Sequence, residues 1–95
     1  MSSIKLFWKQ DCPKCPAAKM VYKNLRSDGF EILDYDLDTA DGLAEGAYHG
    51  VLSTPTLLVI DENDKELLQW RGNVPTYEEV KAVLTNYDVK PHRTC

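Results

Sequence analysis

The run Ile4-Lys5-Leu6-Phe7-Trp8 is followed, after three residues, by Cys12-Pro13-Lys14-Cys15 and then by Ala17, Met20, Val21 and Leu25 at helical spacing. A short, mostly apolar run bounded by polar residues predicts a central strand buried on both faces. Such a strand needs cover above and below, and its direct passage into a helix selects the α/β class. Asp28-Gly29 supplies the terminating glycine, which gives this first helix about four turns. Glu31 to Asp36 alternates apolar and polar residues well enough for a second strand, and Asp38 or Thr39 can cap a short second helix ending near Gly50. Gly42 and Gly46 weigh against that helix, each costing about 1 kcal/mol relative to Ala.

Thr56 to Ile60 predicts a third strand, Asp61-Glu62-Asn63-Asp64 a turn, and Glu66 to Arg71 a fourth strand that closes a hairpin. Thr76 and Glu79 have capping-box spacing, and Val80, Val83 and Leu84 give the last helix its apolar face. With right-handed crossovers, the order βαβαββα puts the first two strands parallel and the hairpin antiparallel beside them. The expected architecture is a minimal four-stranded mixed sheet with helices on both faces. The 95 residues suffice for one domain, expected over residues 1–87. The tail, residues 88–95, has no periodicity and is expected to be mobile.

The net charge is −4, and no Lys/Arg stripe is present that could neutralise phosphates, so nucleic acid is not an expected partner. No apolar run approaches the ~18 residues that cross a bilayer, and the first residues lack a signal-peptide pattern. A cytoplasmic monomer with no membrane association is the expectation. Three cysteines cannot all pair within one chain, and a close pair without an export signal reads as redox-active or metal-binding.

The C-x-x-C motif falls at the carboxyl end of the first strand, where α/β sheets present their ligands. Cys12 near a helix N-terminus would have its thiolate stabilised by unpaired backbone N–H groups and the helix dipole. Cys15, one turn further on, would be close enough to form a disulfide with it and more shielded from solvent. Cys12 is therefore read as the nucleophile and Cys15 as the resolving thiol of a thiol–disulfide oxidoreductase that needs no bound cofactor or metal. Pro13 would occupy the first helical position; Pro16, at the fourth, would forfeit a hydrogen bond. Lys14 and Lys9 would favour a thiolate and Asp11 would oppose it.

An alternative is a non-redox metal module. Cys12, Cys15, His92 and Cys95 could make a four-ligand zinc site, or Cys12 and Cys15 could hold an iron–sulfur cluster across a dimer. Taken alone, Cys95 reads as an exposed thiol. Asp34, Asp36, Asp38 and Asp41 do not fit a calcium loop, since Gly42 comes one place late and Ala47 stands at position twelve; they read as a solvated acidic edge. His49 reads as a helix-end partner without a catalytic role, and Trp8, Trp70 and Tyr77 as packing residues, with Trp8 near enough to Cys12 to line a substrate surface.

Phe7-Trp8 before Cys12-x-x-Cys15, followed some forty residues later by Ser53-Thr54-Pro55-Thr56 opening a strand, resembles the thioredoxin and glutaredoxin superfamily over residues 4–86. The resemblance implies a cis Thr54-Pro55 bond opposite the disulfide, with the Thr54 backbone free to pair with an extended substrate segment. Thr54, Pro55, Trp8, Pro13, Lys14, Gly72 and Val74 are the implied substrate-binding residues. The size and the Cys-Pro-x-Cys form look like glutaredoxin, while Thr54-Pro55-Thr56-Leu57 and Trp70-Arg71-Gly72 look like thioredoxin. Gly72-Asn73-Val74-Pro75 lacks the Gly-Gly and acidic pair with which glutaredoxins hold glutathione, so a glutathione-dependent glutaredoxin is the alternative rather than the leading reading. Leu6 stands where thioredoxins carry a buried acid that takes the resolving cysteine's proton, and Asp11 where they carry Trp. Small redoxins of archaea and anaerobic bacteria, some acting on ribonucleotide reductase, are the nearest resemblance. It implies protein disulfides as substrates and a thioredoxin-reductase-type electron donor.

Overall fold

β1 (Ser3–Trp8) lies second in a sheet of order β2-β1-β3-β4, in a computed structural model that describes residues 3–87. It pairs in parallel with β2 (Ile32–Asp36), Trp8 opposite Asp36, and antiparallel with β3 (Thr56–Ile60), Phe7 opposite Thr56. β4 (Glu66–Arg71) completes the hairpin, with Thr56 opposite Arg71. This register gathers the carboxyl ends of β1, β2 and β4 and the amino end of β3 at one end of the sheet. α1 (Cys15–Ser27) and α3 (Tyr77–Asn86) cover one face, where Ala18, Leu25, Val80 and Leu84 meet Ile4, Leu6, Leu57 and Val59. α2 (Ala40–Tyr48) covers the other, over Phe7, Leu37, Val51, Leu58 and Ile60. The expected βαβαββα order and mixed sheet are the observed ones; the tail from Asp88 to Cys95 lies outside the described residues.

α1 departs from the sequence reading in two ways. It begins at Cys15, with Lys14 as N-cap, so Pro16 falls in the first turn and Pro13 lies before the helix. Pro16 there displaces no intrahelical N–H, because the first four amides have no partner within the helix. Its inward face is Cys15, Ala18 and Leu25, with Val21 and Tyr22 alongside. Ala17 is exposed and Met20 is 59% exposed, so of the residues read as the apolar stripe only Val21 and Leu25 pack inward.

The two glycines of α2 have a long-range reason. A Cβ on Gly42 would stand 1.9 Å from the backbone oxygen of Asp36, and one on Gly46 would stand 2.8 Å from Leu37 Cδ2. α2 lies so close to the end of β2 that only hydrogen fits, and contact energy outweighs the propensity penalty. Thr39 caps α2 by accepting from Gly42 N at 3.0 Å, and Thr76 and Glu79 form the expected capping box on α3.

Under α2 the sheet buries a cation. Lys5 Nζ donates to Glu45 Oε2 at 2.6 Å and to His49 Nε2 at 3.1 Å, and lies 3.5 Å from Asp64 Oδ1. An ammonium only donates, so Nε2 accepts and the ring proton sits on Nδ1, facing Glu66 Oε2 at 3.6 Å. Burial pulls the Lys5 pKa down, but the Glu45 hydrogen bond and the charges of Glu45 and Asp64 outweigh it, and the net displacement is upward from 10.5. The folded state thus holds this proton more tightly than the unfolded chain. The associated stability is complete below about pH 10.5 and is lost as pH rises through the raised folded value. Lys5→Met should cost about 2 kcal/mol at neutral pH, because it takes the ammonium partner from the part-buried Glu45 carboxylate. In pH-dependent chemical denaturation the variant should also lose that component of the alkaline decline.

Candidate functional site at the carboxyl end of β1

Cys12 and Cys15 are joined by a disulfide with Cα atoms 5.2 Å apart, in a turn closed by Cys15 N donating to Cys12 O at 3.2 Å. The two differ in exposure: Cys12 is part-exposed, whereas Cys15, the first residue of α1, is 2% exposed. Cys12 precedes the α1 N-cap by two residues rather than occupying it. Pro13 and Lys14, between them, are exposed, as are Lys9 and Asp11.

Two aspartates read from sequence as a solvated edge hold the segment leading into this turn. Gln10 N donates to Asp38 Oδ2 and Gln10 Nε2 to Asp36 Oδ2, each at 3.1 Å, while Asp38 N donates to Asp36 Oδ1 at 2.9 Å. Asp34 takes the Trp8 indole N–H at 3.2 Å, and the Lys19 ammonium lies 3.4 Å above the Trp8 ring. The Asp-x-Asp spacing at 36 and 38, a side chain accepting from the backbone two residues on, was the local signal available for the first part of this arrangement. The side of Trp8 is thereby fixed beside α1, half-buried. Leu6 is fully buried in the apolar core, with Asp34 and Leu57 as its register partners.

The second wall is the loop from Gly50 to Pro55. The Thr54–Pro55 bond is cis, Pro55 is buried, and Thr54 is half-exposed. Pro55 O accepts from Gly72 N at 2.8 Å, and Thr56 Oγ1 donates to Ser53 O at 2.8 Å. Gly72 has φ +76°, a conformation side chains rarely adopt, and a Cβ there would approach Ser53 Oγ to 3.4 Å. Val74 is half-buried against the core beneath α1 and α3. The residues named from sequence therefore fall on three neighbouring segments: Trp8 to Lys14, Thr54-Pro55, and Gly72 to Val74.

Sequence reasoning missed a groove of about 300 Å³ beside these segments, lined by Lys9, Leu37, Asp38, Leu43, Val51, Leu52, Ser53 and Thr54. Leu52, 97% exposed, stands at its rim with Leu43. A leucine in a loop gives no sequence signal of this kind, because its exposure depends on how the chain leaves α2.

Of the four residues weighed as zinc ligands, Cys12 and Cys15 pair with each other, and His92 and Cys95 lie outside the described residues. Among the described residues no group of three His, Cys, Asp or Glu side chains is placed to hold a metal ion, and no helix is long and apolar enough to cross a membrane.

A four-stranded mixed sheet flanked by three helices, with a Cys-x-x-Cys disulfide at the end of its parallel strand pair, defines a thioredoxin-fold protein of the thiol–disulfide oxidoreductase class. The chain belongs to the thioredoxin-domain family, whose model matches residues 2–85. It is 35% identical over 85 residues to a protein of Archaeoglobus fulgidus described as a probable thioredoxin, covering 88% of this chain and 87% of the relative. Its fold is similar to that of thioredoxin-2 of the malaria parasite, with a TM-score of 0.77 and 19% identity over 90% of this chain and 82% of that one. Thioredoxin 1 of Thermosipho africanus gives a TM-score of 0.65 and 20% identity, over 90% of this chain and 92% of that one. At these identities the structural likeness concerns the fold alone.

Proposed function

We propose that the protein reduces disulfides in other proteins, with Cys12 as nucleophile and Cys15 as resolving thiol. The observation that carries this reading is the unequal exposure of the two bonded cysteines, Cys12 part-exposed and Cys15 buried; Thr54, a half-exposed residue before the cis Pro55, supports it. In the reduced protein the Cys12 thiolate attacks one sulfur of a substrate disulfide. That S–S bond breaks, a Cys12–substrate bond forms, and the displaced sulfur leaves as a thiolate and takes a proton. Cys15, deprotonated, then attacks Cys12 Sγ and releases the second substrate thiolate, which is protonated in turn. The substrate gains two electrons and two protons, and the protein is left with the Cys12–Cys15 disulfide.

The docking of an extended segment is assigned to Trp8, Pro13 and Lys14 around the cysteine turn together with Thr54, Pro55, Gly72 and Val74, and the Gly72 N to Pro55 O bond that joins the last two segments supports this reading. The groove of mixed character, with Leu43 and Leu52 beside Lys9 and Asp38, supports a protein substrate over a small thiol, since it extends the surface available to a larger partner. A reducing cytoplasm sets the direction, and a reductase of the thioredoxin-reductase type closes the cycle; ribonucleotide reductase is one protein-disulfide substrate of the required kind. We assign the activity to a monomer, within residues 4–86.

Insulin reduction driven in parallel by thioredoxin reductase with NADPH, by glutathione with glutathione reductase, and by dithiothreitol tests this reading. Turnover is expected with thioredoxin reductase and dithiothreitol and not with glutathione. Glutathione-driven turnover equal to the other two would instead favour the glutaredoxin reading.

A further inference from the structure

The Gly50–Pro55 loop leaves the C-terminus of α2, where the last carbonyls of a helix have no intrahelical donor. Here backbone amides of the exit turn supply donors: His49 N to Glu45 O and Gly50 N to Ala47 O, each at 3.2 Å, and Val51 N to Gly46 O at 2.8 Å, with Gly50 at φ +67°. The next two carbonyls, those of His49 and Gly50, lie just past the helix and take their donor from β4. Arg71 Nη2 donates to His49 O and Nη1 to Gly50 O, each at 3.2 Å. The guanidinium is itself aimed by Glu66 Oε1, which accepts from Nη2 at 3.0 Å, and by Gln69 Oε1, which accepts from Nε. The next residue, Gly72, donates its amide to Pro55 O. Arg71, the last residue of β4, and Gly72 just after it thus tie down both ends of the loop, and the segment between the ties contains Leu52, Ser53 and Thr54.

We propose that Arg71 is a positioning residue for substrate docking, holding the loop so that the Thr54 backbone meets an incoming extended segment already in place. The proposal rests on the reading of the protein as a protein-disulfide reductant. A planar guanidinium fork bonding two successive carbonyls fixes direction as well as distance, which an ammonium cannot do. Without it the loop entrance gains conformational freedom that docking must remove, so affinity for a peptide substrate falls. The chemistry at sulfur is left alone, because Cys12 and Cys15 belong to the β1–α1 segment.

The test compares two disulfides in single turnovers of the reduced protein, quenched by alkylation: insulin, which can pair with the loop, and 2-hydroxyethyl disulfide, which has no peptide backbone. Arg71→Ala should raise the half-saturating insulin concentration about tenfold, with the maximal rate and the 2-hydroxyethyl disulfide rate within about twofold of wild type. Arg71→Lys, which keeps the charge but not the fork, should show a smaller rise of the same kind, and it carries the test if Arg71→Ala does not fold. Glu66→Gln, which removes the ion pair but leaves both carbonyl contacts available, should behave more like wild type than Arg71→Ala. Equal losses on both disulfides, or no change on either, would overturn the proposal. Failure of the parent reading is separately visible, as Cys12→Ser would then still reduce insulin.

Discussion

Cys12→Ser is expected to bring insulin reduction down to the level of the reductant alone, a loss of at least about a thousandfold in kcat/KM. A serine hydroxyl near neutral pH supplies almost no anion, and an alkoxide attacking sulfur would give no disulfide from which Cys15 could release product. Cys15→Ser should fail differently. Its first step, attack by Cys12, is intact, so one equivalent of substrate should be consumed rapidly before turnover stops. The difference in exposure between the two sulfurs supports this division, because only the part-exposed one can reach a sulfur in another protein. Steady-state kcat/KM together with burst amplitude for both variants checks it.

Gly42→Ala should be the most destabilising of the conservative substitutions in α2. In an isolated helix the change would stabilise by about 1 kcal/mol. Here the new methyl would stand 1.9 Å from Asp36 O, and the conflicting atom is backbone rather than the end of a flexible chain. Asp36 O also accepts from Thr39 N and Thr39 Oγ1, so moving it disturbs the α2 cap. Steric insertion of this sort typically costs 1–3 kcal/mol, and loss of a cap about another 1 kcal/mol. The net expectation, after the propensity gain, is about 2 kcal/mol of destabilisation in urea titration. Because the Asp36 carboxylate holds Gln10 in the segment leading to Cys12, activity in the folded fraction should fall as well.

The strands and the α3 cap were legible because each rests on contacts close in sequence: apolar runs, the Asp61 turn, and the Thr76–Glu79 box. Asp61 Oδ1, for instance, accepts from both Asn63 N and Lys65 N, a turn device written within five residues. The start of α1 was harder, because Pro13 and Pro16 each suit the first turn of a helix and spacing alone does not choose between them. The turn from Cys12 O to Cys15 N makes the choice, and it also moves the inward face from Ala17 and Met20 to Ala18 and Tyr22. The cysteine pair could be found from its place after β1, and the Thr54-Pro55 segment from resemblance to known families.

What could not be read depends on partners far along the chain. Glycines in α2 look like penalties until the end of β2 is brought against them. Lys5 is one polar letter in an apolar strand, and its partners Glu45 and His49 are 40 and 44 residues away. Arg71 reads as the last residue of a strand; its acceptors are backbone carbonyls 21 and 22 residues earlier, which leave no mark on the composition around it.

The most direct measurement of the central claim is the trapping of the intermediate. Reduced Cys15→Ser, in a Cys95→Ser background so that the third thiol cannot intervene, is mixed with insulin, quenched with acid and mapped by peptide mass spectrometry. The expected product is one insulin chain joined through Cys12, released by dithiothreitol and absent from the Cys12→Ser protein treated in the same way. An adduct through any other residue, or no adduct under conditions where the wild type reduces insulin, would contradict the assignment of Cys12 as the attacking sulfur and Cys15 as the thiol that completes the exchange.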